Sequence, residues 1–588
     1  MKILWLDLNC SYAHSSLALP ALHAQVMHRT DVEWKVVRIT TGEMVGAAVD
    51  AVYAHRPNVV AASAWLFTHE HLLHIIARVK ALLPQTVVIL GGPEFLGDNE
   101  AYLRQHTEVD CVLRGEGEES FARWLEVWDN RAEWGSVKGL CFNVNVNEKS
   151  LRGYENCHPD GNSEIITQKS EFNNLPDTNC QLSTVNCQLY HDGGLARVVD
   201  FAALRAPEES DLFTWSKPFV QLETTRGCFN SCAFCVSGMG DPIRTLPIDI
   251  IRHRLDRIRE RGIRDVRVLD RTFNYHPQRA IELMKLFAEY HPHLRFHLEI
   301  HPALLTQAVR QVLSDMPHGQ LHLEAGIQSL RQEVLDKSLR KGSLEQALDG
   351  LRFLCSLPNL VTHADLIAGL PLYTLEQIYE DIYTLAEIQA GEIQLESLKL
   401  LPGTAMRRDA EKQGICYSPM PPYEVLQTDD ITSLELQEAR RLSRLLDAYY
   451  NTSAWQRVTR RLILNEADFL HRFLRYLTDH NYIDQPMSLE RRGELLYLYC
   501  REHYPSYATE VTLAWIEAGM SLKKRPAEGV KTKHIQPSEE WTVVYGEYDE
   551  AMRLCFLATP EGDGYWFGYD STTQCPTPVF RAESKGSR

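Results

Sequence analysis

Residues 219–235 read Phe219-Val220-Gln221-Leu222-Glu223-Thr224-Thr225-Arg226-Gly227-Cys228-Phe229-Asn230-Ser231-Cys232-Ala233-Phe234-Cys235. The stretch Phe219–Glu223 reads as a strand, and three cysteines follow at spacings of four and three. Thiolates so spaced can face one iron–sulfur cubane while the loop wraps it. Full ligation of a four-iron cluster takes four cysteines, so three leave one iron open to another ligand. The competing reading is a structural zinc site. Zinc wants four closed ligands, and no fourth Cys or His lies at finger-like spacing.

Downstream of this loop, strand and helix patterns alternate through residue 402. Strands are expected at Phe219–Glu223, Asp265–Leu269, Arg295–Ile300, Gln320–Ala325, Val361–Ile367 and Gln394–Leu400, with helical segments such as Ile248–Arg261 and Leu375–Gln389 between them. Six βα units in series fit a partial parallel barrel, whose catalytic groups sit at the carboxyl ends of the strands. The cysteine loop begins where the first of these strands ends.

Upstream, residues 1–130 hold five more βα units, with strands expected at Lys2–Leu8, Glu33–Ile39, Asn58–Ala64, Thr86–Gly91 and Cys111–Arg114. This pattern implies a doubly wound, flavodoxin-like parallel sheet that binds ligands at its carboxyl edge. That edge is polar or glycine-rich: Asn9–His14, Ser63, Gly91-Gly92-Pro93-Glu94 and Arg114-Gly115-Glu116-Gly117-Glu118. Residues 131–216 read as a linker with a polar insertion, in which Cys180 and Cys187 belong to a small repeat of a variable loop. Residues 430–520 read as helical, and Trp541–Tyr548, Arg553–Ala558 and Gly564–Tyr569 alternate like a small antiparallel sheet. The expected architecture is α/β: a doubly wound sheet (1–130), the linker, a partial (βα)6 barrel (217–405) and a mostly helical region with a small β element (406–588).

The 588 residues carry 61 basic and 78 acidic side chains, a net charge of −17. This balance argues against a nucleic-acid partner. No run of 18 apolar residues occurs, so no membrane span is expected. The amino terminus lacks the features of a secretory signal, and 14 cysteines are too few for a disulfide scaffold. A reducing, cytoplasmic location is expected.

The Cys-x3-Cys-x2-Cys pattern of Cys228, Cys232 and Cys235 resembles the signature of the radical S-adenosylmethionine (SAM) superfamily. The resemblance implies a 4Fe-4S cluster whose open iron chelates the methionine part of the cofactor. Reductive cleavage of the sulfur–C5′ bond then yields a 5′-deoxyadenosyl radical. An external one-electron donor, such as a flavodoxin or ferredoxin, is implied as well. By the same resemblance, Phe234 lies against the adenine. Glu324-Ala325-Gly326-Ile327-Gln328-Ser329 resembles a segment contacting ribose and carboxylate, which makes Glu324, Gln328 and Ser329 candidates. Ile367 and Gly369, in Asp365-Leu366-Ile367-Ala368-Gly369-Leu370-Pro371, resemble a backbone contact to adenine. Members often carry Gly-Gly-Glu after the second strand. Here that segment reads Leu269-Asp270-Arg271-Thr272, so Asp270 is the candidate substitute, with Glu299 after the third strand. For each carboxylate an internal salt bridge is the competing role.

The first domain resembles the cobalamin-binding modules that precede many radical SAM domains, with Ser63, Gly91, Gly92, Gly115 and Glu116 as candidate contacts. The Asp-x-His-x-x-Gly motif that supplies a lower cobalt ligand is missing, and His14 does not align with it. Related cobalamin-dependent radical enzymes often lack it too. The expected function is a cobalamin-dependent radical methyltransferase acting on a small molecule or peptide. The alternatives are a radical isomerase, ring-contracting enzyme or dehydrogenase, and a non-catalytic redox sensor.

Overall fold

The structure is a computed structural model, and it describes residues 1–13, 16–145, 188–238, 240, 242–522, 524, 526, 541–558, 564–572 and 575–584. Cys180, Cys187 and His14 lie outside these.

Seven strands form the first sheet: β1 (Lys2–Asn9), β2 (Glu33–Thr40), β3 (Val59–Ser63), β4 (Val87–Gly91), β5 (Cys111–Leu113), β6 (Leu140–Asn145) and β7 (Gln188–Asp192). Their order is β2-β1-β3-β4-β5-β6-β7. The first five are parallel, and β6 and β7 add antiparallel to the β5 edge. Continuous apolar runs such as Ile3–Leu6 and Val59–Ala62 are buried from both faces, as strands covered by helices on each side require. The stretch expected as a linker therefore supplies two strands of this sheet. Short strands with polar flanks hide from pattern reading, because their pairing comes from a neighbouring edge.

Six strands form the second sheet: Phe219–Leu222, Asp265–Val268, Arg295–Ile300, Leu321–Gln328, Val361–Ala368 and Glu392–Ser397. They are all parallel and lie in sequence order. The fourth strand shows how the sequence builds a half-barrel. Leu321, Leu323, Ala325 and Ile327 are buried toward the helices, while His322, Glu324, Gly326 and Gln328 take the other face. The lumen is consequently polar.

The sixth strand would leave an open edge. The helical region after residue 430 covers it. Asn451 accepts from the Ile393 N–H and donates to the Ile393 carbonyl, both at 2.9 Å, and Tyr450 donates to the Ala390 carbonyl at 2.7 Å. These side chains act as a surrogate neighbouring strand and block edge pairing. A four-stranded antiparallel sheet follows, in which Phe580–Ser584 joins the three expected strands. Among the described residues, no helix is long and apolar enough to cross a membrane.

Candidate active site between two domains

The cysteine loop leaves the first barrel strand and is closed at its base by a short antiparallel pair. Thr225 and Arg226 pair with Thr245 and Arg244. Gly227 turns the chain with φ of 90°, a value open to glycine at little cost. Cys228, Cys232 and Cys235 are all free thiols. The Cys228 Sγ lies 3.6 Å from the Thr272 hydroxyl at the end of the second strand. Burial pushes the Cys232 thiol up, and Arg340, whose Nη1 lies 3.8 Å from the sulfur, draws it back. Phe234 is half-buried and packs against the barrel core.

A turn at Ser338–Lys341 braces this loop. Ser338 accepts from the Ala233 N–H at 2.9 Å, and the Lys341 N–H donates to Asn230 Oδ1 at 3.0 Å. Arg340 also donates to the Gly326 carbonyl on the fourth strand. Sequence reading missed Ser338, Arg340 and Lys341, because they lie over a hundred residues from the cysteines and carry no spacing signal. Three free thiols on one braced loop, with a cation beside the most buried, fit a cluster ligand set that must lose its protons on binding iron.

Several candidates have other employment. Asp270, 2% exposed, accepts from the backbone N–H of Thr224 (2.8 Å) and Thr225 (2.9 Å) and from the Thr224 hydroxyl. It is a brace for the strand leading into the cysteine loop rather than a free ligand for an amino group. Asp270→Ala should lower unfolding stability by about 3 kcal/mol or more, since each orphaned buried donor costs ~1–3 kcal/mol. Asp270→Asn should fall between, because Oδ1 alone takes both backbone bonds. Denaturant unfolding with parallel iron analysis checks both. Ser329 is fully buried, donates to Asp381 at 3.4 Å and accepts from the Arg331 N–H at 3.2 Å, so it anchors a helix instead of facing ribose.

Glu299, Glu324 and Gln328 remain at the lumen. Glu299 pairs with Arg271 at 3.3 Å, and its carboxyl is pushed up chiefly by burial. Glu324 accepts from His297 at 2.8 Å and also meets Asp365. Asp365 is raised, first by burial and then by the Glu324 charge. Gln328 sits at a register shift with φ of 73°. Ile367 ends the fifth strand, and Gly369 turns after it with φ of 93°.

In the first domain, Ser63 and Gly91 end the adjacent strands β3 and β4. A Cβ on Gly92 would lie 2.6 Å from the Ala64 carbonyl and 2.8 Å from Ser63 Oγ. Its lack of a side chain thus serves the chain's own close approach. Gly115 is likewise spent on a bridge to Ala196, whose carbonyl would be 2.3 Å from a Cβ. Glu116 is not free for a cofactor: both oxygens meet Arg244 (2.6 and 2.8 Å), and Oε2 accepts the Val198 N–H at 2.6 Å.

That ion pair has a partner. Arg226, two residues before Cys228, reaches Glu118 at 2.6 Å and Glu223 at 2.8 Å. Tyr423, beyond the sixth strand, donates to Glu94 after β4 at 2.7 Å. Gly97 and Gly403 approach backbone to backbone, with a Cβ on Gly97 only 3.0 Å from the Gly403 nitrogen. The carboxyl edge of the first sheet is therefore clamped against the mouth of the barrel. Between β1 and β3, where the strand order reverses and doubly wound sheets bind ligands, exposed Tyr12, Trp65 and Phe67 line the cleft. Lys217 covers the Tyr12 ring at 4.0 Å.

The clamp carries a pH dependence. Burial opposes charge on Glu116, but Arg244 and the Val198 N–H outweigh it and hold the carboxyl below the usual range. The unfolded value is then the higher one. The pair's stabilisation is complete above the ordinary glutamate pKa of about 4.3 and is lost as pH falls through the lower folded value. Urea unfolding should show wild type losing more stability on acidification below this range than Glu116→Gln, with the two converging at low pH.

Comparisons with known proteins agree with this arrangement. The Radical SAM superfamily model matches residues 222–384, the B12 binding domain model residues 12–125, and a model described as a protein of unknown function (DUF4080) residues 411–516. The cobalamin-dependent radical SAM methyltransferase TokK of Streptomyces tokunonensis is 23% identical over 60% of this chain and 48% of its own length. Cytidylyl-2-hydroxyethylphosphonate methyltransferase of Streptomyces wedmorensis is 22% identical over 54% of this chain and 58% of its own. The chain thus matches about half the length of these curated relatives. The fold is similar to that of the radical SAM methyltransferase TsrM from Kitasatospora setae, solved with cobalamin and a [4Fe-4S] cluster bound. The TM-score is 0.53 at 15% identity, covering 85% of this chain and 99% of that one. It is also similar to the cobalamin-dependent radical enzyme OxsB, with a TM-score of 0.56 at 13% identity, covering 89% and 82%. With a cysteine triad at the barrel mouth and a doubly wound sheet clamped over it, this chain is a radical SAM protein with an amino-terminal B12-binding domain.

Proposed function

We propose that the chain is a cobalamin-dependent radical SAM methyltransferase acting on a small molecule or peptide. The observation that carries this reading is the clamp: Arg226–Glu118, Arg244–Glu116 and Tyr423–Glu94 bring the ligand edge of the first sheet onto the cysteine loop. When bound, the cluster and SAM supply a carbon radical and the corrinoid supplies a methyl carrier, while the protein orients and shields them. Cys228, Cys232 and Cys235 would hold the cluster. Phe234, Ile367 and Gly369 border the space for the nucleoside, and Glu299, Glu324 and Gln328 line the polar lumen beneath it. Tyr12, Ser63, Trp65 and Gly91 would face the corrinoid. The relatives TokK and the cytidylyl-phosphonate enzyme are both named as methyltransferases, which supports the same reaction class. A flavodoxin or ferredoxin would deliver the electron.

Methyl transfer by this route consumes two SAM molecules per turnover, one giving S-adenosylhomocysteine and one 5′-deoxyadenosine. With the true substrate both nucleosides should rise in about equal amounts, and label from the S-methyl group should reach the product. Chromatography of both nucleosides with labelled SAM decides it. If 5′-deoxyadenosine tracks product while S-adenosylhomocysteine stays at background and the product is unlabelled, the enzyme is an isomerase or dehydrogenase instead.

A further inference from the structure

The barrel lumen holds a second cluster of metal-ligating side chains, at the opposite end of the strands from the cysteine loop. Strand alternation places His297, His322, His363 and Glu392 on the inward face near the amino-terminal ends of the third to sixth strands. Register then brings them together. His297 lies beside His322 on neighbouring strands, and His363 lies beside Glu392. The His322 Nε2 is 2.6 Å from the His363 Nε2, which is 2.7 Å from a Glu392 oxygen. All three ligand atoms fall within 4.8 Å of one another.

Proton accounting makes this arrangement unusual. A neutral imidazole has one N–H to give. The His363 Nε2 faces a nitrogen and a carboxylate oxygen at once, and one proton serves two such acceptors poorly. A divalent ion takes lone pairs from all three. The surroundings match a ligand set as well. The Gln394 amide lies 3.3 Å from His363 Nδ1, the outer contact that orients a ligating ring. His363 is buried, and the His297 ring stands 4.9 Å from that of His322 while bonding to Glu324. Two imidazoles and one carboxylate suit a first-row divalent ion, with zinc the common case for tetrahedral nitrogen and oxygen donors.

We propose that His322, His363 and Glu392 bind one divalent transition-metal ion. This site pins the fourth, fifth and sixth barrel strands together beneath the radical site. Bonds of ~2.0–2.1 Å would set the donors about 3.3 Å apart, so a small outward rotation of the two rings admits the ion. The site stands whether or not the methyl-transfer reading does, because it shares no ligand with the cysteine loop.

The test uses the full-length, cluster-loaded protein with zinc added and excess removed. Elemental analysis should find one zinc per chain beyond the iron of the cluster. Zinc-edge X-ray absorption should show nitrogen and oxygen neighbours only, with no sulfur at ~2.3 Å. His322→Ala and His363→Ala should each lose this zinc while keeping their iron, and Glu392→Gln should weaken its retention at least tenfold. Zinc should also raise the melting temperature of wild type and not of His322→Ala. No bound zinc in wild type overturns the proposal. So does zinc with sulfur neighbours, or undiminished zinc in His322→Ala. If His363→Ala fails to fold, the wild-type absorption spectrum and His322→Gln, at a less buried position, still decide.

Discussion

Replacing Cys228, Cys232 and Cys235 together with alanine should take iron and sulfide from a full cluster to background and abolish 5′-deoxyadenosine formation. The three are free thiols on one loop held by Asp270 below, Ser338 and Lys341 beside, and the Thr225–Arg226 pairing at its base. Cys232 is the most buried and carries the Arg340 contact. A thiol raised by burial gives up its proton only to a strong competitor, which iron provides. Arg340→Ala should keep the cluster but retain less of it on gel filtration, because the cation beside Cys232 is lost while the ligands remain. Anaerobic reconstitution with iron and sulfide analysis measures both effects. Normal iron and sulfide in the triple variant would remove the cluster assignment, and with it the radical chemistry.

The second large effect concerns cobalamin. Gly91→Trp should reduce cobalamin binding by the full-length protein at least about a hundredfold, comparable to losing ~2.7 kcal/mol of binding free energy. A Cβ on Gly91 meets nothing closer than the Leu113 Cβ at 4.0 Å. The fold can therefore carry a side chain there, at the carboxyl edge where a corrinoid must sit. Gly92 would be a misleading site for the same experiment. Its φ of 109° and the 2.6 Å approach to the Ala64 carbonyl mean that any side chain there strains the fold before it meets a ligand. Equilibrium binding followed by the corrinoid absorption bands, alongside a melting curve for each variant, separates the two cases. Unchanged affinity in well-folded Gly91→Trp would move the cobalamin site away from β4.

The strands of both sheets were legible because burial imposes a period on them. Runs such as Val59–Ala62, covered on two faces, read as continuous apolar segments. Leu321–Gln328, polar on the lumen side, reads as strict alternation. The short strands β6 and β7 escaped, since their place comes from the β5 edge rather than from their own composition. Candidate residues divide along the same line. The cysteines act through chemistry that the residue type itself declares. Asp270, Ser329, Gly92, Gly115 and Glu116 are of types used equally for ligands and for braces. Only their hydrogen bonds and close approaches show that the chain itself employs them.

By itself, the sequence determined the two parallel α/β units, their order and the three-thiol loop at the end of a strand. These follow from local periodicity and from ligand chemistry acting over a few residues. Only the tertiary structure decided that Arg226 and Arg244 clamp the two units edge to mouth, and that Arg340 reaches Cys232 from 108 residues away. It alone decided that His322, His363 and Glu392 converge in the lumen. The reason is physical: contacts between distant segments are set by sheet register and domain packing, whose geometry depends on the whole assembled core, and no spacing along the chain encodes them.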